Sequence, residues 1–155
     1  MDMPKPGEAH RKLERLVGYW IGEEKLYPSP WDPKGGAAIG KVHNRIALSG
    51  FNVVQDYEQE RNGSINFQGH GVFSWDAKAS CYVLHWFDSM GMPPNEFRGN
   101  FDGNTLNLTN EGPQGHSRTV FDFQKDGHYT FRMEVSQDGR QWQTFMEGHY
   151  SLKDR

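Results

Sequence analysis

The sequence predicts an all-β domain, namely an antiparallel up-and-down barrel of about ten strands with a short N-terminal helix. Aromatic residues make up 14% of the 155-residue chain, a composition that favours strands. Alternating segments flank Asn62-Gly63, Asp102-Gly103, Asp126-Gly127 and Asp138-Gly139, and such dipeptides join antiparallel strands as hairpins. Hairpins in unbroken succession predict a meander that closes into a barrel.

The first element is the predicted helix. Leu13, Leu16 and Val17 recur at helical spacing and give it an apolar face. We therefore expect residues 1–17 to form an N-terminal segment with this short helix, and residues 18–155 to form a single β-barrel domain.

The strands follow the helix without a linker. Two segments rich in proline and glycine, Pro28–Gly36 and Ser89–Asn95, interrupt them and are expected to be loops that gate the barrel mouth. The ten predicted strands are Gly18–Tyr27, Ala37–Leu48, Phe51–Arg61, Ser64–Trp75, Ser80–Asp88, Glu96–Phe101, Thr105–Glu111, Ser117–Gln124, His128–Gln137 and Gln141–Leu152.

Composition excludes several classes of function. A net charge of −3 with both signs interspersed gives no basic footprint, which argues against nucleic acid as the main partner. The chain has no apolar run long enough to span a membrane, and its start lacks the apolar segment of a secretion signal, so we expect a cytoplasmic protein. Cys81 is the single cysteine and cannot form a disulfide within the chain.

The turns decide which face of each strand is buried, because a slip of one residue exchanges the faces. A three-residue loop at Lys125–Gly127 pairs Phe121 with Phe131, and we prefer it to a two-residue turn. A two-residue turn at Asp138-Gly139 pairs Phe131 with Met146. In that register the apolar side chains of both strands lie on the same face of the hairpin.

The register around Asn62-Gly63 has two solutions. A two-residue turn directs His70 and His85 into the lumen, whereas a three-residue loop leaves both on the outer wall. Burial of aromatic area favours the three-residue loop. In that register the inward side chains are Ile65, Phe67, Phe73, Trp75, Tyr82, Leu84 and Trp86.

The segment Leu16–Gly22 carries a resemblance to known barrels. A short helix that runs into Gly-x-Trp at the first strand resembles the opening of calycins, the lipocalins and fatty-acid-binding proteins. In those families the tryptophan plugs the closed end, a role that the resemblance assigns here to Trp20. The Gly-x-Trp-x-Gly form also resembles, more distantly, nitrobindin-like barrels, which bind haem through a histidine.

Three further motifs resemble one family over nearly the whole chain. The runs His85–Gly91, Gly69–Gly71 and Ser136–Trp142 are similar to an uncharacterised bacterial family of unknown function, of the DUF1579 type. This resemblance implies a calycin-like fold and no established activity.

The predicted function is the binding of a small, largely apolar molecule in the lumen. Gln55 and Tyr57 are the candidate orienting polar groups, because a few polar groups among apolar neighbours are typical of a small-molecule pocket. Trp86, Phe131 and Met133 are the candidate apolar wall. The sequence assigns no catalytic residue and no cofactor.

A haem- or metal-binding sensor or enzyme is the first alternative, with His85, His70 or His149 as ligand. His70 and His85 are expected to lie directly opposite on neighbouring strands and could share an ion. Asp56 or Gln55 would then be the third ligand. We favour the interpretation that His70 and His85 form a stacked or hydrogen-bonded pair on the sheet without a metal. The strand phase points His149 outward.

A homodimeric interaction module is the second alternative. It requires an aromatic face formed by Phe67, Phe73, Trp75 and Trp86 to be exposed and self-associating.

Overall fold

The structure is a computed structural model that describes residues 2–30, 32–112 and 115–155. In these residues it has a helix α1 (Glu8–Lys12), 3-10 turns at Leu13–Leu16 and Leu48–Gly50, and ten strands. The strands are β1 (Gly18–Leu26), β2 (Gly36–Ala47), β3 (Asn52–Arg61), β4 (Ser64–Asp76), β5 (Cys81–Asp88), β6 (Asn95–Asp102), β7 (Thr105–Gly112), β8 (Gly115–Lys125), β9 (His128–Ser136) and β10 (Gln143–Asp154).

These strands form one closed antiparallel barrel, which confirms the predicted fold class. Each strand pairs with its neighbours in sequence, and β1 pairs with both β2 and β10. Each of the ten described strands is therefore paired on both sides. Among the residues that the structure describes, no helix has the length and apolar character needed to cross a membrane.

The N-terminal helix covers one end of the barrel. Leu13 and Leu16 are fully buried there, and the Trp20 indole N–H donates to the Leu16 carbonyl at 2.9 Å. Tyr82 anchors the helix to the barrel, because the Tyr82 hydroxyl donates to the Ala9 carbonyl at 2.6 Å. We call this the helix end, and the opposite end the mouth.

The hairpin at Asn62-Gly63 combines a two-residue turn with a β-bulge. Arg61 pairs with Ser64, and both turn residues have positive φ, as a type I′ turn requires. The expected three-residue loop is therefore wrong. The register shifts beside Gln59, where β4 carries one extra residue, and a bulge of this kind exchanges the two faces.

The bulge preserves the expected outcome of the aromatic register. Phe73 pairs with Val53 inside, while His70 and His85 lie on the outer wall. Ile65 precedes the bulge and is 45% exposed, so its expected inward position is wrong. Phe67, Phe73, Trp75 and Trp86 pack in or against the core, which argues against the exposed aromatic face of an interaction module.

The hairpin between β8 and β9 also combines a two-residue turn with a β-bulge. Lys125 pairs with His128 across a two-residue turn, which contradicts the preferred three-residue loop, and a bulge after Asp122 restores the expected pair of Phe121 with Phe131.

The hairpin between β9 and β10 differs from the prediction. A longer connection joins these strands, and Phe131 lies opposite Gly148 instead of Met146. Met146 pairs with Met133 beside a further bulge. The Asp138 carboxylate accepts backbone N–H groups from Arg140 and Gln141, so this aspartate shapes a loop that is wider than a two-residue turn.

Candidate functional site

Several inward side chains near the helix end are fully buried, whereas several near the mouth are partly exposed. Phe73 is 0% exposed near the helix end, whereas Phe67, six residues earlier on β4, is only partly buried. Val135 continues the inward face of β9 and is 36% exposed at the mouth. The lumen is therefore a packed core at the helix end, and its inward side chains are less completely covered at the mouth; we call this mouth half of the lumen the cup.

A buried polar network lies between the core and the cup. Glu24 on β1 is its centre and is only 3% exposed. The Tyr57 hydroxyl donates to Glu24 Oε1 at 2.8 Å, and Gln59 Nε2 donates to the same oxygen at 3.0 Å. The Tyr150 hydroxyl donates to Glu24 Oε2. Three strands, β1, β3 and β10, therefore meet at one carboxyl group.

Glycines make room for this network. A methyl group added at Gly40 would collide with the Glu24 carboxyl group, and one added at Gly148 would collide with the Tyr150 ring. Glu24 therefore lies over Gly40 of the neighbouring strand β2, and the Tyr150 ring lies over Gly148, two residues earlier on its own strand β10.

Burial dominates the electrostatics of the network. Removal from water raises the pKa of Glu24, and the hydrogen bonds from Tyr150, Tyr57 and Gln59 only partly oppose this shift. Burial also raises the pKa of Tyr57 and Tyr150, and the nearby Glu24 charge adds to both shifts. Among the described residues, no cationic side chain forms an ion pair with Glu24.

A second polar pair lies deeper, where Asn44 of β2 faces Gln55 of β3. Asn44 Nδ2 donates to the Leu16 carbonyl at 2.8 Å, whereas Asn44 Oδ1 is buried without a partner. Gln55 is also buried, and its amide forms no hydrogen bond with another described residue. On the far side, Thr119 Oγ1 is likewise buried and unpartnered.

The five predicted ligand-binding residues all lie on inward faces. Tyr57 and Trp86 come together, with ring centroids 6.2 Å apart, and Gln55 lies two residues from Tyr57 on β3. Phe131 and Met133 lie on β9, where Phe131 contacts Phe121 at a ring distance of 5.1 Å.

Sequence reasoning missed Glu24, Gln59 and Tyr150. Glutamates on strands are usually solvated, so the residue type of Glu24 did not by itself indicate a buried site. The signal that could have found it is the phase of β1. Trp20 and Glu24 are four residues apart on a strand, so they share a face, and the predicted plug already placed that face inside.

The candidate metal residues His70 and His85 are not brought together. His70 lies opposite Phe87, and His85 lies opposite Val72, because the four-residue connection spans residues 77–80 and not the expected 76–79. Their predicted direct opposition is therefore wrong.

Each of these two histidines has a carboxylate partner on the outer wall. His70 Nδ1 is 2.8 Å from Asp56 Oδ1, and His85 Nε2 is 3.3 Å from Glu96 Oε1. His70, and after it Arg45, lowers the pKa of Asp56. The described part of the chain has no group of three or more side chains placed to hold a metal ion.

The haem alternative does not fit the lumen. His149 is exposed on the outer wall opposite Glu23, as its strand phase predicted, in a surface depression of about 610 Å³. Charged side chains also line this depression, among them Glu23, Lys25, Glu60 and Glu147. A haem ligand must project into an apolar pocket, and no inward-facing position of the described strands carries a histidine.

Comparisons with known proteins give a family and a fold. A family described as "Protein of unknown function (DUF1579)" matches residues 5–151. The crystal structure of Rv2717c from M. tuberculosis is similar, with a TM-score of 0.70 at 12% sequence identity over 95% of this chain and 98% of that chain. At that identity the likeness concerns the fold alone. No curated protein matches the sequence.

Proposed function

We propose, for a chain that belongs to the DUF1579 family of proteins of unknown function, that it binds one small, largely apolar molecule in the mouth half of the barrel. The observation that carries this proposal is the partial exposure of inward rings above a closed floor. Near the helix end the inward side chains Phe73, Leu106 and Leu108 are fully buried. Near the mouth the rings of Phe67, Trp86 and Phe131 are only partly buried, and this uncovered apolar surface is what a ligand would cover.

The wall and the polar groups of the proposed site come from different strands. Trp86, Phe131 and Met133 provide apolar surface, and Tyr57 stands beside Trp86. Gln55 provides an amide that no described residue engages. An amide that the protein leaves free can form hydrogen bonds with a ligand and so orient it.

The proposal also covers the location of the protein and the kind of partner it binds. We infer a cytoplasmic protein with a small molecule as its partner, and neither nucleic acid nor a membrane surface. The composition supports this inference, because the chain has a net charge of −3 and no basic stripe.

Titration with the neutral fluorescent probe N-phenyl-1-naphthylamine tests the proposal. We expect saturable binding of one probe per chain, and native mass spectrometry of freshly purified protein should show any molecule that co-purifies. Gln55→Leu should change the probe affinity without unfolding the domain. Gln68→Leu is the matched control, because Gln68 is exposed on β4. Probe binding that does not saturate, or that Gln55→Leu and Gln68→Leu alter equally, contradicts the lumen site.

A further inference from the structure

We infer that the lumen selects an organic cation, a molecule with a protonated amine on an apolar body, and that Glu24 sets this preference. The inference rests on the proposed function and adds the charge class of the ligand. Charge, hydrogen-bonding capacity and aromatic lining each point to it.

Carboxyl groups outnumber cationic groups among the side chains that face the lumen. Glu24 lies at the floor of the cup and Asp88 lies near the mouth, where the Trp86 indole N–H donates to Asp88 Oδ2 at 3.0 Å. The inward face of the described strands has one cation, Arg61 at the rim. Arg61 is already bound, at 2.7 Å to Asp32 and at 3.0 Å to the Gly35 carbonyl. An anionic ligand would therefore meet like charge and no free cationic partner.

The unpartnered polar atoms in the lumen can accept hydrogen bonds. Asn44 Oδ1 can only accept, and Asn44 is 1% exposed. Thr119 Oγ1 has free acceptor capacity at 5% exposure of its residue. An ammonium group, which donates up to three hydrogen bonds and accepts none, complements the Asn44 oxygen, whereas the Thr119 hydroxyl can both accept and donate.

The lining beside Glu24 is aromatic. The Tyr57 ring, whose hydroxyl donates to Glu24, lies 6.1 Å from the Phe67 ring and 6.2 Å from the Trp86 ring. Aromatic faces attract cations and repel carboxylates, and the attraction is stronger away from water. Glu24 and these rings therefore act in the same direction on a ligand that enters from the mouth.

Three probes of equal chain length separate charge from apolar binding. Octylammonium, 1-octanol and octanoate share one alkyl body and differ in charge, so isothermal titration calorimetry of each gives the charge preference directly. We expect octylammonium to bind at least tenfold more tightly than octanoate, with 1-octanol between them.

Two adjacent glutamates provide the matched variants. Glu24→Gln keeps the shape and removes the inward charge, and we expect it to reduce the preference to within threefold. Glu23→Gln removes an exposed charge on the opposite face of β1 and should leave the preference unchanged. The wild-type comparison needs no substitution, so the test holds even where Glu24→Gln perturbs folding.

The possible outcomes distinguish this inference from the proposed function. If 1-octanol binds in the lumen and octanoate binds as tightly as octylammonium, the inference fails and the proposed function stands. A tenfold preference that survives Glu24→Gln also overturns the role of Glu24. If none of the three probes binds, the inference and the proposed function fail together.

Discussion

The two ends of the barrel use the same ten strands and differ in what covers them. At the helix end, Leu13 and Leu16 close the lumen, and the inward side chains Phe73, Leu106 and Leu108 are almost completely buried. At the mouth, inward apolar side chains remain partly exposed and polar groups lie among them. From this difference in burial we expect the helix end to provide most of the stability and the mouth to be available for a ligand.

The largest expected effect comes from a matched pair on β4. Phe73→Ala creates a cavity in the packed end and should lower the free energy of unfolding by about 3–5 kcal/mol. Phe67→Ala removes a partly exposed ring at the mouth and should cost less than about 2 kcal/mol, because the loss scales with buried area. Urea denaturation of both variants measures the difference. Equal losses would mean that the mouth is as tightly packed as the helix end.

A glycine beneath Trp86 gives the next largest effect. A methyl group at Gly69 would collide with the Trp86 ring, so Gly69→Ala should cost about 1–3 kcal/mol and displace that ring. A double-mutant cycle with Trp86→Ala isolates the contact. In the Trp86→Ala background, Gly69→Ala should cost almost nothing. A cost that is unchanged there would show that the glycine serves the backbone and not the ring.

The turns explain how much of the fold could be predicted from the sequence. Asn62-Gly63 and Asp126-Gly127 indicated two-residue turns, whereas the aromatic pattern required a register that such turns alone do not give. The structure satisfies both signals with a bulge in each hairpin. Bulges leave no consistent mark in a single sequence, so the buried face was predictable and the loop lengths were not.

The site was less predictable than the fold. Tyr57 and Trp86 could be placed in the lumen from the strand phase, and the structure brings their rings together. The position of Tyr150 depended on the register of β10. There the wide loop at Asp138 and a bulge change the pairing that a two-residue turn predicts. Contacts that join β1, β3 and β10 also depend on closure of the barrel, which local sequence patterns do not fix.

Glu24 lies between the two ends, and its expected effect on stability is smaller and depends on pH. Burial raises its pKa in the folded state above the ordinary value of 4.5, so the folded protein holds this proton more tightly than the unfolded chain. Stability from this group is then complete below that value and is lost as the pH rises through the raised pKa. Glu24→Gln should therefore gain stability relative to wild type as the pH rises from 4.5 through the raised pKa of Glu24.

Thermal unfolding of wild type, Glu24→Gln and Glu23→Gln across this range measures that gain. The exposed Glu23 provides the control, and its variant should run parallel to wild type. Parallel curves for wild type and Glu24→Gln would contradict the desolvation of Glu24.

The smallest expected effect on stability is at Asp56, which lies on the outer wall and not in the lumen. Asp56 contacts His70 at 2.8 Å and Arg45 at 2.9 Å, and the carboxylate side chain is 52% exposed. The lowered pKa of Asp56 gives stability that is present above its ordinary value of 3.8 and is lost as the pH falls through the folded value.

Solvent screens the contacts of Asp56 with His70 and Arg45, so Asp56→Asn should cost less than about 1 kcal/mol at pH 7. Urea denaturation at pH 7 and pH 3 should show this difference shrinking with acid and with added salt. A cost comparable to that of Phe73→Ala would place a major part of the stability on the outer wall and remove the contrast between the two ends.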